Sequence, residues 1–163
     1  MRITNLNAID VLIYSQHKHL VHLERTALDS FGVKRIESVG DLKTLKDAIQ
    51  HNYRDIIIIN HSPGQAMAPL LETIRSESDA SNPYATVLLM TSTPSRRVVR
   101  EGIQCGVDGV MALPFTGIDL WKQLAHSVNR NRAFVRTENY FGPCRRRLQN
   151  IKYNGEERRE EAA

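Results

Sequence analysis

Residues 56–59 are four consecutive isoleucines, bounded by Asp55 on one side and by Asn60-His61-Ser62-Pro63-Gly64 on the other. A strand of this composition has no polar face, so both of its sides have to be covered, which places it centrally in a parallel sheet. The polar residues from Asn60 onward read as a turn leaving the strand's C-terminal edge, where ligands collect in open α/β sheets. Ala85 to Met90 form a second apolar run, and it too ends in small polar residues, Thr91-Ser92-Thr93.

Shorter segments alternate around these two runs. Residues 10–15 read as a buried strand. From His19 to Phe31, the residues Leu20, Leu23, Ala27, Leu28 and Phe31 recur at helical spacing, and Gly32 ends the pattern. Residues 35–39 alternate as a strand with one covered face, and Asp41 is positioned to cap a helix carrying Leu42, Leu45, Ala48 and Ile49. Helices are expected over 66–76, 95–105 and 117–131, with a short strand at Gly109 to Ala112. Five strands alternating with five helices imply right-handed crossovers and a doubly wound parallel sheet, a flavodoxin-like (βα)5 fold with strand order 2-1-3-4-5. In that order Ser15-Gln16, Asn60-His61, Thr91-Ser92 and Leu113-Pro114 line one crevice.

The totals agree with one domain and an extension. The chain has 163 residues, 41% hydrophobic and 25% charged, and no apolar run approaches the roughly 20 residues that span a bilayer. A cytoplasmic location is expected, because the N-terminal residues lack the apolar segment of a secretory signal. Cys105 and Cys144 read as free thiols. No cofactor or metal is expected, since His17, His19, His22 and His61 have no Cys or carboxylate at a recognised ligand spacing. The histidines near residue 19 read as a solvated helix start, and His61 as a surface residue.

With these elements in place, residues 9–131 resemble a response-regulator receiver domain. The resemblance rests on the order of elements, Pro63-Gly64 after the third strand, Thr91-Ser92 after the fourth, the segment Cys105-Gly106-Val107-Asp108-Gly109, and Pro114-Phe115 after the fifth. It implies an acidic Mg²⁺-binding pair after the first strand, a phosphoacceptor Asp after the third, a Thr or Ser after the fourth and a Lys before the final Pro. Here the acidic pair falls on Ser15 and Gln16, the phosphoacceptor on Asn60 and the lysine on Leu113; Thr91 alone is retained. Anchoring on Pro63 instead puts Ile59 at the phosphoacceptor position.

An amide cannot form an acyl phosphate, and neutral residues neither hold hard Mg²⁺ well nor neutralise a transferring phosphoryl group. The chain therefore reads as a pseudo-receiver without enzymatic activity. Its expected role is a signalling adaptor in a two-component-type pathway, contacting a histidine kinase or downstream effector. The resemblance implies a partner or homodimer surface on the fourth helix, fifth strand and fifth helix, with Arg96, Arg97, Arg100 and Val110 on it. Residues 132–163 form a basic and aromatic extension, expected to be partly disordered. Within it Tyr140-Phe141-Gly142-Pro143-Cys144-Arg145-Arg146-Arg147 resembles the Tyr-Phe-Gly-Pro-Asp-Arg-Arg-Arg tail of some bacterial single-domain receivers. Protein docking through Tyr140, Phe141, Arg145, Arg146 and Arg147 is the favoured reading of this segment. A small nucleic-acid-associated regulator, with bases stacked on those aromatics, is the alternative.

Overall fold

The computed structural model describes residues 6–129 and 132–145. After a short 3₁₀ turn, the chain runs β1 (Asp10–Tyr14), α1 (Lys18–Ser30), β2 (Arg35–Val39), α2 (Leu42–His51), β3 (Ile56–His61), α3 (Ala68–Arg75), β4 (Thr86–Thr91), α4 (Arg96–Cys105), β5 (Gly109–Ala112) and α5 (Gly117–Asn129). The five strands form one parallel sheet in the order β2-β1-β3-β4-β5, as the alternation of runs predicts. Two further strands, β6 (Phe134–Thr137) and β7 (Tyr140–Pro143), pair as an antiparallel hairpin.

The isoleucine strand is buried along its whole length, and successive side chains serve opposite layers. Ile57 and Ile59 join Leu12, Tyr14, Val87 and Leu89 in a core closed by Leu45 and Ile49 of α2 and Leu71 and Ile74 of α3. Ile56 and Ile58 join Val11, Ile13, Leu88 and Met90 beneath Leu28 of α1 and Leu120 and Leu124 of α5. Burial of each such side chain stabilises the fold by roughly 1.5–3 kcal/mol. The helix signals behave as expected: Asp41 accepts from the Thr44 amide at 2.9 Å, which lowers its pKa, and Ser95 accepts from the Val98 amide at 3.2 Å. Gly106 closes α4 at φ +103°, a left-handed conformation that glycine adopts without strain.

Two expectations need correction. β3 continues through Asn60 and His61, which were expected in a turn, because β4 reaches Thr91 and pairs Asn60 with Met90 and His61 with Thr91. In α1 the buried stripe passes through Glu24 and Leu28, whereas Leu23 is 53% exposed. The helical period accounts for this: Leu20, Glu24, Leu28 and Phe31 lie one above another, and Leu23 falls to the margin. The hairpin lies within the basic and aromatic extension, to which the sequence reading assigned no strands.

The hairpin sits at the N-terminal edge of the sheet, held by Arg75 at the end of α3. This buried guanidinium donates to the carbonyls of Pro83 and Ala85 at 2.7 Å each, to Gly106 at 2.9 Å and to Asp108 at 3.0 Å. Asp108 also accepts from the Val87 amide at 2.9 Å. Burial pushes the Arg75 pKa down and that of Asp108 up, and the ion pair between them opposes both shifts. Arg75 lies 5.1 Å from the ring centre of Phe134, which packs with Phe141 and Tyr84 at centroid distances of 4.9–5.6 Å. Outside this cluster, Arg136 pairs with Glu77. Arg75→Ala removes one cation from four acceptors and strands Asp108, so we expect a loss of about 3–5 kcal/mol in urea unfolding, with simultaneous loss of the Tyr84–Phe134 contacts by NMR.

Candidate functional site

The loops at the C-terminal edge of the sheet are drawn together by uncharged hydrogen bonds. The hydroxyl of Ser15 accepts from the His17 amide at 3.1 Å, and the Ser15 amide donates to Val39 O at 2.9 Å. The His17 ring, through Nε2, lies 3.2 Å from Ser62 Oγ and so joins the loop after β1 to the loop after β3. Gln65 Nε2 donates to the hydroxyl of Tyr14 at 2.9 Å, making a second link between the same loops. The His61 Nε2 atom meets Gln65 O at 3.1 Å. His61 is buried within β3, not at the surface as expected, because the extended strand carries it between β1 and β4. Gln16 is exposed.

The sequence-derived positions divide between the two sides of the sheet. Asn60 follows Ile56 and Ile58 in strand alternation and lies under α1. Thr91 follows Val87 and Leu89 and belongs to the opposite side, in register with His61. Ile59, the other phosphoacceptor candidate, has the same parity as Thr91. Thr91 is fully buried, and its Oγ1 accepts from the Thr93 amide at 3.2 Å. Leu113 packs at the edge of the α1–α5 core and lines an apolar cleft of about 610 Å³ with Leu20, Leu23, Ala27 and Phe115.

A residue the sequence reading missed completes the environment of Asn60. Glu24, fully buried on α1, accepts from Asn60 Nδ2 at 3.0 Å. Burial raises its pKa from 4.5 to about 7, and the hydrogen bond from Asn60 only partly opposes that shift. The signal was available: position 24 is four residues after Leu20 and four before Leu28, so a polar residue interrupts an apolar stripe there. Among the described residues, no group of three or more His, Cys, Asp and Glu side chains is arranged to hold a metal ion.

Arg96, Arg97 and Arg100 are exposed on α4, and Val110 is half-buried on the edge strand β5 against the α2–α4 layer. On the other flank of β5, Met111 shares a shallow cleft with Asp119, Lys122, Gln123 and His126 of α5. In the extension, the Arg145 guanidinium lies 3.7 Å from the centre of the Tyr140 ring, Arg136 lies 5.3 Å from that of Phe141, and Tyr140 donates to Pro143 O at 2.8 Å. Arg146 and Arg147 lie outside the described residues.

These features can be set beside known proteins. No family model matches the sequence. Chemotaxis protein CheY-3 of Vibrio cholerae is 24% identical over 115 residues, which cover 70% of this chain and 87% of that protein. Among solved structures, the chemotaxis response regulator CheY4 of Vibrio cholerae matches with a TM-score of 0.60 at 21% identity, over 73% of this chain and 98% of its own. A signal receiver domain of two-component signal transduction from Clostridium thermocellum matches with a TM-score of 0.62 at 17% identity, over 74% and 98%. The chain has the response-regulator receiver fold. The aligned share leaves room for the C-terminal hairpin as an addition to the five-stranded unit of this receiver fold.

The links between the loops give the receiver edge a measurable rigidity. Tyr14→Phe deletes the acceptor of Gln65 and should cost about 1 kcal/mol. Amide hydrogen exchange of Ser62, Gly64 and Gln65 should accelerate in that variant, while exchange in β3 stays slow.

Proposed function

We propose that this chain is a receiver-like signalling adaptor that works without phosphorylation and delivers its output by protein contact. The observation that carries the reading is the chemistry of the receiver edge: Ser15, Gln16 and Asn60 are neutral, and Leu113 lines an apolar cleft. Phosphoryl transfer requires a nucleophilic oxygen and cations that neutralise developing charge. The amide at position 60 is a poor nucleophile, and in this structure it is turned under α1 and bonded to Glu24. A receiver fold is a signalling module, not a conventional enzyme, and the one serine–imidazole contact at the edge among the described residues, Ser62 with His17, is exposed and serves as a link between two loops.

A histidine kinase or a downstream effector fits as partner. The exposed arginines of α4 with the partly open β5 and the polar cleft of α5 supply a mixed charged and apolar surface for it, or for a second copy of the chain. The structure lends less support to the nucleic-acid alternative. Arg136 and Arg145 are stacked on Phe141 and Tyr140 of their own hairpin, and Phe134 and Phe141 pack on Tyr84, so these rings are engaged within the chain.

Incubation with a small-molecule phosphodonor and Mg²⁺ should leave the intact mass unchanged, and Mg²⁺ alone should leave the melting temperature unchanged. A phosphorylated species, whether at Asn60 or on a carboxyl or imidazole at this edge, would sink the reading. Replacing Arg96, Arg97 and Arg100 together by Glu should weaken binding to a cognate kinase or effector by at least about tenfold, about 1.4 kcal/mol by calorimetry, without changing the circular dichroism spectrum.

A further inference from the structure

Two buried oxygens in the layer under α1 lack partners in the structure: Glu24 Oε1 and Asn60 Oδ1. They belong to the two side chains already joined by the bond from Asn60 Nδ2 to Glu24 Oε2 at 3.0 Å. If Glu24 is ionised, it is an acceptor only, and both oxygens stay unpaired. If it is protonated, its O–H can donate to Asn60 Oδ1, closing a two-bond acid–amide ring in which each side chain donates once and accepts once. Leaving buried polar atoms unmade is costly, so the protonated form is the one that this packing satisfies.

Among the described residues, no charged group is placed to hold the anion. On this face β1 presents Val11 and Ile13, β3 presents Ile56 and Ile58, β4 presents Leu88 and Met90, and α5 presents Leu120 and Leu124. None of these ionises. On α1 itself, Lys18, His19, His22 and Arg25 are exposed, and His17, just before it, is engaged with Ser62. Arg25 donates outward to Ile36 O at 2.7 Å. His61 has the opposite parity on β3 and bonds Gln65, and on α5 Asp119, Lys122 and His126 line the cleft with Met111. The rise in the Glu24 pKa has burial as its main cause, and no charged neighbour contributes to it.

We propose that Glu24 and Asn60 hold one proton between them, and that its release loosens α1 from β3. Asn60 thereby has a use at the very position where the receiver resemblance places a phosphoacceptor: it is the amide half of a proton-binding pair. The consequence is an input that goes beyond the adaptor reading and does not rest on it. Ionisation leaves a carboxylate among apolar side chains, and the available relief is displacement of the α1 segment around Glu24. That segment forms one wall of the apolar cleft with Leu113 and Phe115, so the cleft changes with the proton.

The sign follows from linkage. The folded value, about 7, is above the unfolded value of 4.5. The stabilisation is therefore fully present below pH 4.5 and declines as pH rises to about 7. The folding equilibrium constant falls by about 300-fold across that window from this group alone.

The test uses the full chain with ¹³C-labelled glutamate carboxyls and ¹⁵N-labelled side-chain amides, titrated by NMR from pH 4 to 9. The expected result is a Glu24 carboxyl midpoint near 7, a change in the Asn60 Nδ2 signals with the same midpoint, and faster hydrogen exchange in α1 above it. In Glu24→Gln, an amide replaces the protonated acid and can make the same pair of bonds, so the Asn60 signals and α1 exchange should lose that pH dependence. A Glu24 carboxyl that titrates near 4.5 in the wild-type protein, or an Asn60 amide indifferent to its titration, would overturn the proposal without recourse to any variant.

Discussion

Burial of β3 on both sides is the constraint from which the remaining architecture follows. Ile56 and Ile58 need one apolar layer, and Ile57 and Ile59 need another, so neither helical layer can be omitted. The same constraint acts on the two polar residues that complete the strand. Because β4 extends beside them to Thr91, Asn60 and His61 are drawn into the sheet and sent to opposite faces. Each must then find a partner within its own layer. Asn60 bonds Glu24 of α1, and His61 bonds the backbone of Gln65 in the following loop. The polar chemistry at this end of the molecule is thus imposed by strand length as much as by residue type.

The two edges of the sheet solve different electrostatic problems. At the N-terminal edge, the buried cation of Arg75 collects three carbonyls from two loops and one carboxylate, and the hairpin aromatics cover it. Arg54 does similar work nearby, pairing with Asp10 at 2.6 Å and also with Glu37. At the C-terminal edge, loops are joined by hydroxyl, imidazole and amide groups whose bonds need no counter-ion. Charge therefore fixes the loops opposite the receiver edge, while the receiver edge itself is held by neutral bonds. Such bonds are individually worth only about 0.5–1.5 kcal/mol, so this edge is held by several small contributions and not by one strong ion pair.

Much of this was legible in the sequence because it depends on short-range signals. Apolar runs at residues 56–59 and 85–90, capping residues at Asp41 and Ser95, and the glycine at 106 each determine local structure on their own, and their alternation is enough for strand order. The misplaced residues depend on partners remote in the chain. Asn60 and His61 look like a turn until β4 is known to run beside them. Glu24 looks like part of a wet helix face until Asn60, 36 residues away, is seen to meet it. The hairpin strands have only four residues each and draw on Tyr84, Arg75 and Glu77 for their packing, so no local period announces them.

The state of the buried acid is physically connected to the neutral residues at this end of the sheet. A lysine at position 113 would bring a fixed positive charge to the margin of the α1–α5 layer, where Leu113 now packs. That field would favour an ionised Glu24. Carboxylates at 15, 16 and 60 would act in the opposite sense and crowd like charges around it. With Ser15, Gln16, Asn60 and Leu113 in those positions neither field exists, and desolvation, partly opposed by the bond from Asn60, is the main influence that raises the Glu24 pKa. The neutral edge is therefore compatible with a glutamate that sits inside this layer with an amide, Asn60, as its partner and no counter-ion. A charged group introduced at any one of these positions would shift the balance between the protonated and ionised forms of Glu24.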